Sequence, residues 1–280
     1  MYGDESADET KARVFAVSGV FGSDQDWDDL KRPWIERTGG KIFHASDCET
    51  NQGEFSKTSD TENKKLYKDL TQLLCKSRLM GKSHAIDMAA WRGNFPDALE
   101  DMPYLICFRN VVYDCGGLAF LSVPKDGVEF TFDQHPETEY NAGVLYTYMA
   151  QMKQWNARPH LSEKVSFASR KYVGIQVADL VARETMKHLD NIVGPVKRNT
   201  RLSMSAILDT KRFQFNYLTK EYFESFRVNS ERLSQQFGVD DNDYVQWLDT
   251  NGLVHNMSNL HRYMIEKWPP DGAQTAIQLK

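Results

Sequence analysis

The chain has 280 residues, enough for one large domain or two small ones with a buried core. Its composition, 41% hydrophobic and 26% charged, is that of an ordinary soluble globular protein, and no apolar run approaches the roughly 18–20 residues of a membrane span. The formal net charge of −5 argues against a protein that coats nucleic acid by bulk charge. Residues 151–212, however, carry 12 Lys and Arg against 5 Asp and Glu. Such a local basic surface suits an enzyme that holds a polyanion in one groove, and a solvated face that binds nothing is the alternative.

The predicted elements alternate between strands and helices over the first 190 residues. A very short first element precedes strands at 14–21, 41–46, 84–91 and 127–133, which are rich in β-branched or alternating apolar residues. A capping box at Ser59–Glu62 opens a helix that Gly81 ends, and Pro103 opens another that ends at Gly116 and Gly117. Helices around 137–155 and 172–190 follow, with a strand at 162–169 between them.

After about residue 190 the pattern changes. The stretch IVGPVKRNTR is a turn-rich basic link, and residues 220–237, 241–250 and 257–267 have a helical pattern. We therefore predict an α/β domain over 1–190 and a helical C-terminal extension over 191–280.

The four cysteines and the N-terminus bear on the cellular compartment. The cysteines form no C-x-x-C pair and have no matching His spacing, so free thiols in a reducing cytoplasm are predicted. The stretch MYGDESADETKAR is acidic and polar, unlike a secretory signal peptide.

One carboxylate lies inside the apolar helix pattern KYVGIQVADLVARE. Asp179 is surrounded there by Val177, Ala178, Leu180 and Val181. A buried carboxylate without compensation costs several kcal/mol. A metal ion would supply that compensation.

Further acidic residues lie where the predicted elements end. GDES contributes Asp4 and Glu5, FHASD contributes His44 and Asp47, and FDQHPE contributes Asp133 and His135. Side chains from separate strands converge at strand ends in sheet folds. Carboxylates that converge repel one another, and oxygen-rich sites of this kind suit Mg²⁺ or Mn²⁺. A surface carboxylate or a helix cap is the alternative for each residue taken alone, and it is weakest for Asp179.

These motifs together resemble one family. Asp-Glu-Ser near the N-terminus, F-H-A-x-D, a strand ending in Asp, and Q-V-A-D-L within an apolar helix are similar to the domain-of-unknown-function three-thousand-eight-hundred family over roughly residues 2–190. The resemblance implies an RNase H-like mixed sheet flanked by helices, with acidic residues in the place of a nuclease centre. It implies metal ligands at Asp4, Asp133 and Asp179, with Glu5, His44 and Asp47 beside them. The family pattern usually continues with glycine after D-E-S, where this chain has Ala7.

The predicted function is a metal-dependent nuclease that hydrolyses DNA or RNA with two cations. Asp4 would bridge the cations, and Asp133 and Asp179 would each complete one site. His44 or His135 would position water or protonate the leaving group.

The nucleic-acid contacts are predicted on the last helix and after it. Gln176 and Arg183 lie three and four positions from Asp179, on the same helical stripe. Gln176 would orient the carboxylate of Asp179, and Arg183 would contact a phosphate or pair with Asp179. Lys197, Arg198 and Arg201 would extend the phosphate-binding track.

Two alternatives remain open. In the first, the fold is an inactive partner-binding module in which Asp179 pairs with Arg183 or Arg170. In the second, it hydrolyses a small phosphorylated metabolite and needs no basic track. Neither a membrane partner nor a fixed oligomeric state is indicated, and a homo-oligomer is compatible with the sequence.

Overall fold

The computed structural model of the chain describes residues 1–8, 10, 12–96, 101–122, 127–151 and 158–224. The strands are β1 Tyr2–Ala7, β2 Val14–Phe21, β3 Met80–Asp87, β4 Thr131–Asp133, β5 Ser166–Ala168 and β6 Phe213–Leu218. The helices are α1 Asp24–Thr38, α2 Ala45–Thr50, α3 Asp60–Lys76, α4 Met88–Asn94, α5 Met102–Ser122, α6 Glu139–Gln151, α7 Val173–Val193 and α8 Leu202–Asp209.

The six strands form one mixed sheet in the order β5-β4-β1-β2-β3-β6. Strands β1, β2 and β3 are antiparallel neighbours. Strand β4 runs parallel to β1, β5 parallel to β4, and β6 parallel to β3. This arrangement confirms the predicted α/β class and is compatible with an RNase H-like fold. It places β1, which carries Asp4, in the interior of the sheet.

Helices cover both faces of the sheet. In β2, Phe15 and Val17 pack into the cluster that contains α5. Val20 belongs to the cluster on the opposite face, with α1, α3 and α7. Successive strand residues point to opposite faces, and a strand covered on both sides has apolar residues at nearly every position. The predicted strand at 14–21 is confirmed for this reason.

Helix α7 is the most deeply buried helix around the site. Fourteen of its residues are buried, among them Gln176, Asp179 and Glu184. It packs across β1, β2 and β3. The predicted helix at 172–190 is confirmed, and it places Asp179 directly over the sheet. No helix among the described residues is long and apolar enough to cross a membrane.

The predicted strand at 41–46 is wrong. Residues 41–44 have no regular structure, and α2 begins at Ala45. Side-chain oxygens accept hydrogen bonds from the backbone N–H groups that would otherwise pair with a neighbouring strand. Gln176 accepts from Phe43 N at 3.1 Å, and Asp179 accepts from Ala45 N at 2.7 Å. Such long-range bonds are invisible in a local pattern.

The predicted strand at 84–91 is correct only over its first half. Strand β3 ends at Asp87, whose side chain accepts from the N–H groups of Ala89 and Ala90 and caps α4. An aspartate at the N-cap satisfies the first free N–H groups of a helix. The apolar residues after Asp87 therefore belong to a helix.

Other boundaries also differ from the predictions. Helix α3 has the predicted capping box but ends at Lys76, before Gly81. Helix α5 continues past Gly116 and Gly117 to Ser122. Strands β4 and β5 are only three residues long, and β1 is longer than predicted, with Asp4 at its third position.

The segment 191–280 is not a purely helical extension. It contains α8, and residues Phe213–Leu218 form β6, which pairs with β3 from Gly81 to Ile86. The predicted boundary at 190 therefore divides the sheet. The helices predicted beyond residue 224 lie outside the described residues.

Candidate functional site

The three carboxylates predicted to be metal ligands come together on the α7 face of the sheet. Gly3 pairs with Phe132 across the parallel β1–β4 ladder, so the next residues, Asp4 and Asp133, follow side by side. Neighbouring strands lie about 4.8 Å apart, and residues in register share a face. Asp179 reaches the same place from α7. Only 1%, 4% and 4% of the surfaces of Asp4, Asp133 and Asp179 are exposed.

Burial perturbs Asp4 and Asp179, and charge repulsion adds to its effect at Asp4. The pKa of Asp4 is raised well above its usual value, first by burial and then by the charges of Asp179, Glu5 and Asp133. Burial also raises the pKa of Asp179, against the opposing effect of His44 and the Ala45 N–H. The Oδ1 atom of Asp4 accepts from the Glu5 N–H at 2.7 Å, whereas Oδ2 is buried and has no hydrogen-bond partner among the described residues. An unpartnered buried carboxylate oxygen is costly, and it is an unused ligand atom.

Arg170 supplies the positive charge closest to this cluster. Its Nε donates to Asp133 Oδ2 at 2.9 Å, and its Nη1 lies 3.1 Å from Nε2 of His44. Burial lowers the pKa of Arg170, but the charges of Asp4 and Asp133 outweigh it and the pKa is raised. The side chain is 42% exposed, so it lies at the mouth of the cluster. Sequence reasoning proposed Arg170 only as a partner of Asp179, and its ion pair is with Asp133.

The predicted residues His44 and Asp47 flank Arg170. Nδ1 of His44 lies 3.1 Å from Oδ1 of Asp47, while its other ring nitrogen faces Arg170. Asp47 therefore fixes the orientation of the imidazole. A histidine held in this way at the edge of a carboxylate cluster can hold or transfer a proton at Nε2 once Arg170 moves away.

Gln176 has a different part from the one predicted. Its Oε1 accepts from Trp34 Nε1 at 3.0 Å and from Phe43 N at 3.1 Å, and its Nε2 donates to the Arg170 carbonyl at 2.9 Å. The amide thus binds the segments that carry His44 and Arg170 to α7. It positions the residues around the cluster, and no hydrogen bond joins it to Asp179 within the described part of the chain.

Glu5 and His135 lie toward the opposite face of the sheet. Glu5 follows Asp4 in β1, and Nε2 of His135 lies 3.9 Å from its Oε1. The His135 ring stacks on Tyr104 of α5, with centroids 6.3 Å apart. Glu5 still raises the pKa of Asp4 through its charge.

Two residues of the predicted basic track, Arg183 and Arg201, are engaged in ion pairs. Nε of Arg183 lies 2.7 Å from Oε2 of Glu49, and no bond joins Arg183 to Asp179 among the described residues. Arg201 pairs with the same Glu49 and, at 3.0 Å, with Glu184. Arg183 and Arg201 would have to exchange these partners to bind a phosphate.

The other two residues of the track, Lys197 and Arg198, differ in their hydrogen bonding. Lys197 donates to the carbonyl of Ile192, and among the described residues no hydrogen bond or ion pair involves Arg198. Both side chains are exposed, so both lie where a polyanion could contact them.

Sequence reasoning missed a buried acidic network beside the site. Glu184 has no exposed surface, and its Oε1 accepts from Tyr67 Oη at 2.7 Å while Oε2 has no partner. Glu49 joins it through Arg201. Glu184 lies in the same apolar run as Asp179, so the signal that singled out Asp179 applied to it as well.

The cluster offers the donor atoms that a divalent cation prefers, but not a preformed coordination geometry. Among the described residues, no three His, Cys, Asp or Glu side chains are arranged to hold a metal ion as they stand. Carboxylate oxygens are nevertheless the ligands that Mg²⁺ and Mn²⁺ prefer. Oδ2 of Asp4, unpartnered among the described residues, is the ligand atom open to a cation, and the partly exposed guanidinium of Arg170 is the positive charge that a cation would displace.

Comparison with known proteins adds nothing to this geometry. No family model, no curated protein and no solved structure matches the chain.

Proposed function

We propose that the chain is a metal-dependent phosphodiesterase, a nuclease that hydrolyses DNA or RNA with Mg²⁺ or Mn²⁺. The observation that supports the proposal best is the convergence of Asp4, Asp133 and Asp179 in the protein interior. A fold does not keep mutually repelling buried carboxylates for stability, because each adds a desolvation cost. A function that requires their negative charge explains why these buried carboxylates are present.

Each residue of the cluster has a defined task in this proposal. Asp4, Asp133 and Asp179 would hold divalent cations, which when bound neutralise the carboxylates and polarise a phosphate and the attacking water. Arg170, which is paired with Asp133 and partly exposed at the mouth, would contact the phosphate if a cation took its place at Asp133. His44, oriented by Asp47, holds a proton at Nε2 for the leaving oxygen.

The partner would be a nucleic acid, held at the surface that carries Lys197 and Arg198. The excess of basic residues over 151–212 supports that location. All four cysteines are free, and burial raises the pKa of Cys48 to about 12, as expected of unreactive thiols. Free buried thiols are compatible with the proposed cytoplasmic location.

A partner-binding module without catalytic activity is the second candidate. One observation favours it: Arg170 already compensates Asp133 and acts on Asp4 and Asp179 without any metal. In this case the cluster would be a closed ion network, and no cation would displace Arg170.

Calorimetric titration of Mn²⁺ distinguishes the two candidates. The wild type should bind Mn²⁺ and cleave labelled DNA or RNA only when a divalent cation is present. Asp133→Asn and Asp179→Asn should each lose cleavage and weaken Mn²⁺ binding while remaining folded. Glu36→Gln is the matched control, since that exposed carboxylate pairs only with Arg32 on α1. Absence of Mn²⁺ binding to the wild type would reject the nuclease in favour of the binding module.

A further inference from the structure

A cavity of about 860 Å³ lies beside the carboxylate cluster, toward the start of β1. It is bounded by the beginnings of β1, α1 and α7, by the end of β2, and by α5 near Cys115. None of Asp4, Asp133 and Asp179 lines it. Nothing in the proposed nuclease reaction uses this space.

Aromatic rings form much of its wall. The rings of Tyr2 and Trp27 meet edge to face with centroids 4.9 Å apart, and Phe21 and Tyr172 also line the cavity. Tyr172 is 58% exposed, which is high for a tyrosine beside a cavity. Tyr2 is seated on the first turn of α7, since a Cβ at Gly174 would lie 2.3 Å from its ring. The Nε1 of Trp27 is buried and has no hydrogen-bond partner.

The charge of the lining is negative overall. Asp24, Asp26, Asp28 and Glu129 line the cavity against two cations, Lys31 and the N-terminal ammonium of Met1, which donates to the carbonyl of Glu129 at 2.8 Å. Asp24 and Asp26 have a structural reason to be there, because they lie in the first turn of α1, where the helix dipole favours acids. That reason does not extend to Asp28 and Glu129, and neither forms an ion pair within the described part of the chain.

The acidic charge also reaches the aromatic wall. The pKa of Tyr2 is raised, first by burial and then by the charges of Asp24 and Glu129. Asp26 contributes less to this field, since it caps α1 through Ser23 and pairs with Arg78 at 2.7 Å. An anionic ligand would be repelled from such a cavity.

We propose that this cavity binds an organic cation, a quaternary or protonated amine with a hydrocarbon body. Aromatic faces attract ammonium groups by about 0.5–2 kcal/mol, and carboxylates at the rim add long-range attraction. The site is independent of the nuclease proposal, because it shares no carboxylate with that cluster.

Heteronuclear NMR of the full chain tests this inference. The probes are choline, benzyltrimethylammonium and the carbon isostere of choline, which has the same shape without the charge. The indole N–H signal of Trp27, identified by its absence in Trp27→Phe, should shift with both cations. Choline should bind at least about 10-fold more tightly than its neutral isostere, or about 1.4 kcal/mol.

Two charge variants complete the test. Asp28→Asn combined with Glu129→Gln should weaken cation binding about 10-fold, and Asp29→Asn should leave it unchanged. Asp29 is the matched control because it lies on α1 outside the cavity. Equal affinity for choline and its isostere would overturn the proposal, as would no shift at about 10 mM of either cation, well above millimolar affinities. Preferential binding of adenosine monophosphate would overturn it as well, and none of these results depends on cleavage activity.

Discussion

Replacing Asp4 by Asn should stabilise the metal-free protein. Burial and the neighbouring carboxylates raise the pKa of Asp4, so its ionised form is disfavoured in the folded state. Asn keeps the Oδ1 atom that accepts from the Glu5 N–H. It replaces the unpartnered, charged Oδ2 with an amide that can donate to Asp133 or Asp179.

The size of the stabilisation follows from the repulsion between Asp4 and the neighbouring carboxylates. Two unit charges about 6 Å apart at an effective dielectric constant of about 20 repel by roughly 2.8 kcal/mol. Asp4 faces Asp133 and Asp179 on the same side of the sheet, and Arg170 offsets about one of these repulsions. We therefore expect a gain of about 2–3 kcal/mol. For a chain of this length, about 2 °C per kcal/mol gives a rise in Tm of about 4–6 °C.

The effect should depend on pH in one direction. A carboxyl group whose folded pKa is raised costs stability as the pH increases above its unfolded pKa of about 4. The gain from Asp4→Asn should thus be complete above the folded pKa of Asp4 and disappear as the pH falls through that pKa toward about 4. With excess Mn²⁺ at neutral pH, the wild type should become more stable than Asp4→Asn, because cation binding stabilises the wild type alone.

The pH dependence is tested by measuring the Tm of the wild type and of Asp4→Asn in a chelator at neutral and acidic pH. Glu36→Gln is the exposed control. A lower Tm for Asp4→Asn at neutral pH would refute the reasoning. It would mean that the charge of Asp4 is compensated within the protein, as in a closed ion network.

Four further results are expected. Asp179→Asn should reduce divalent-dependent cleavage at least about 100-fold with an unchanged circular dichroism spectrum, and full activity would remove Asp179 from the site. Arg170→Gln should tighten Mn²⁺ binding several-fold in calorimetry because a competing cation is lost, and weaker binding would show that Arg170 does not occupy the cation position. Lys197→Ala with Arg198→Ala should flatten the salt dependence of nucleic-acid binding by about two counterions in a filter-binding assay, and an unchanged slope would place the track elsewhere. Arg201→Ala should instead lower Tm by several degrees, since it leaves buried Glu184 without its ion pair, and an unchanged Tm would contradict this.

Local patterns predicted the elements whose residues interact with their own neighbours in sequence. The capping box at Ser59–Glu62 and the strand at 14–21 were predicted correctly on these grounds. Helix α7 was recognisable from its apolar run alone. Within that run, Asp179 was identifiable because a carboxylate among apolar residues needs a partner.

The prediction failed where a distant side chain determines the backbone. Residues 41–46 have strand composition, but Gln176 and Asp179 bind their N–H groups from more than 130 positions away. Strand β6 was missed in a segment predicted to be helical because pairing with β3 decides its conformation. β-Propensity depends on such context more than helix propensity does.

The sequence by itself predicted which carboxylates belong together, since Asp4, Asp133 and Asp179 follow from its motifs and their family resemblance, and all three meet on one face of the sheet. Only the tertiary structure decided what compensates their charge. Arg170 approaches Asp133 across a separation of 37 residues, whereas Arg183 turns to Glu49 although it lies one helical turn from Asp179. Side-chain partners are chosen by three-dimensional distance and burial, and spacing along one helix limits the candidates without ranking them.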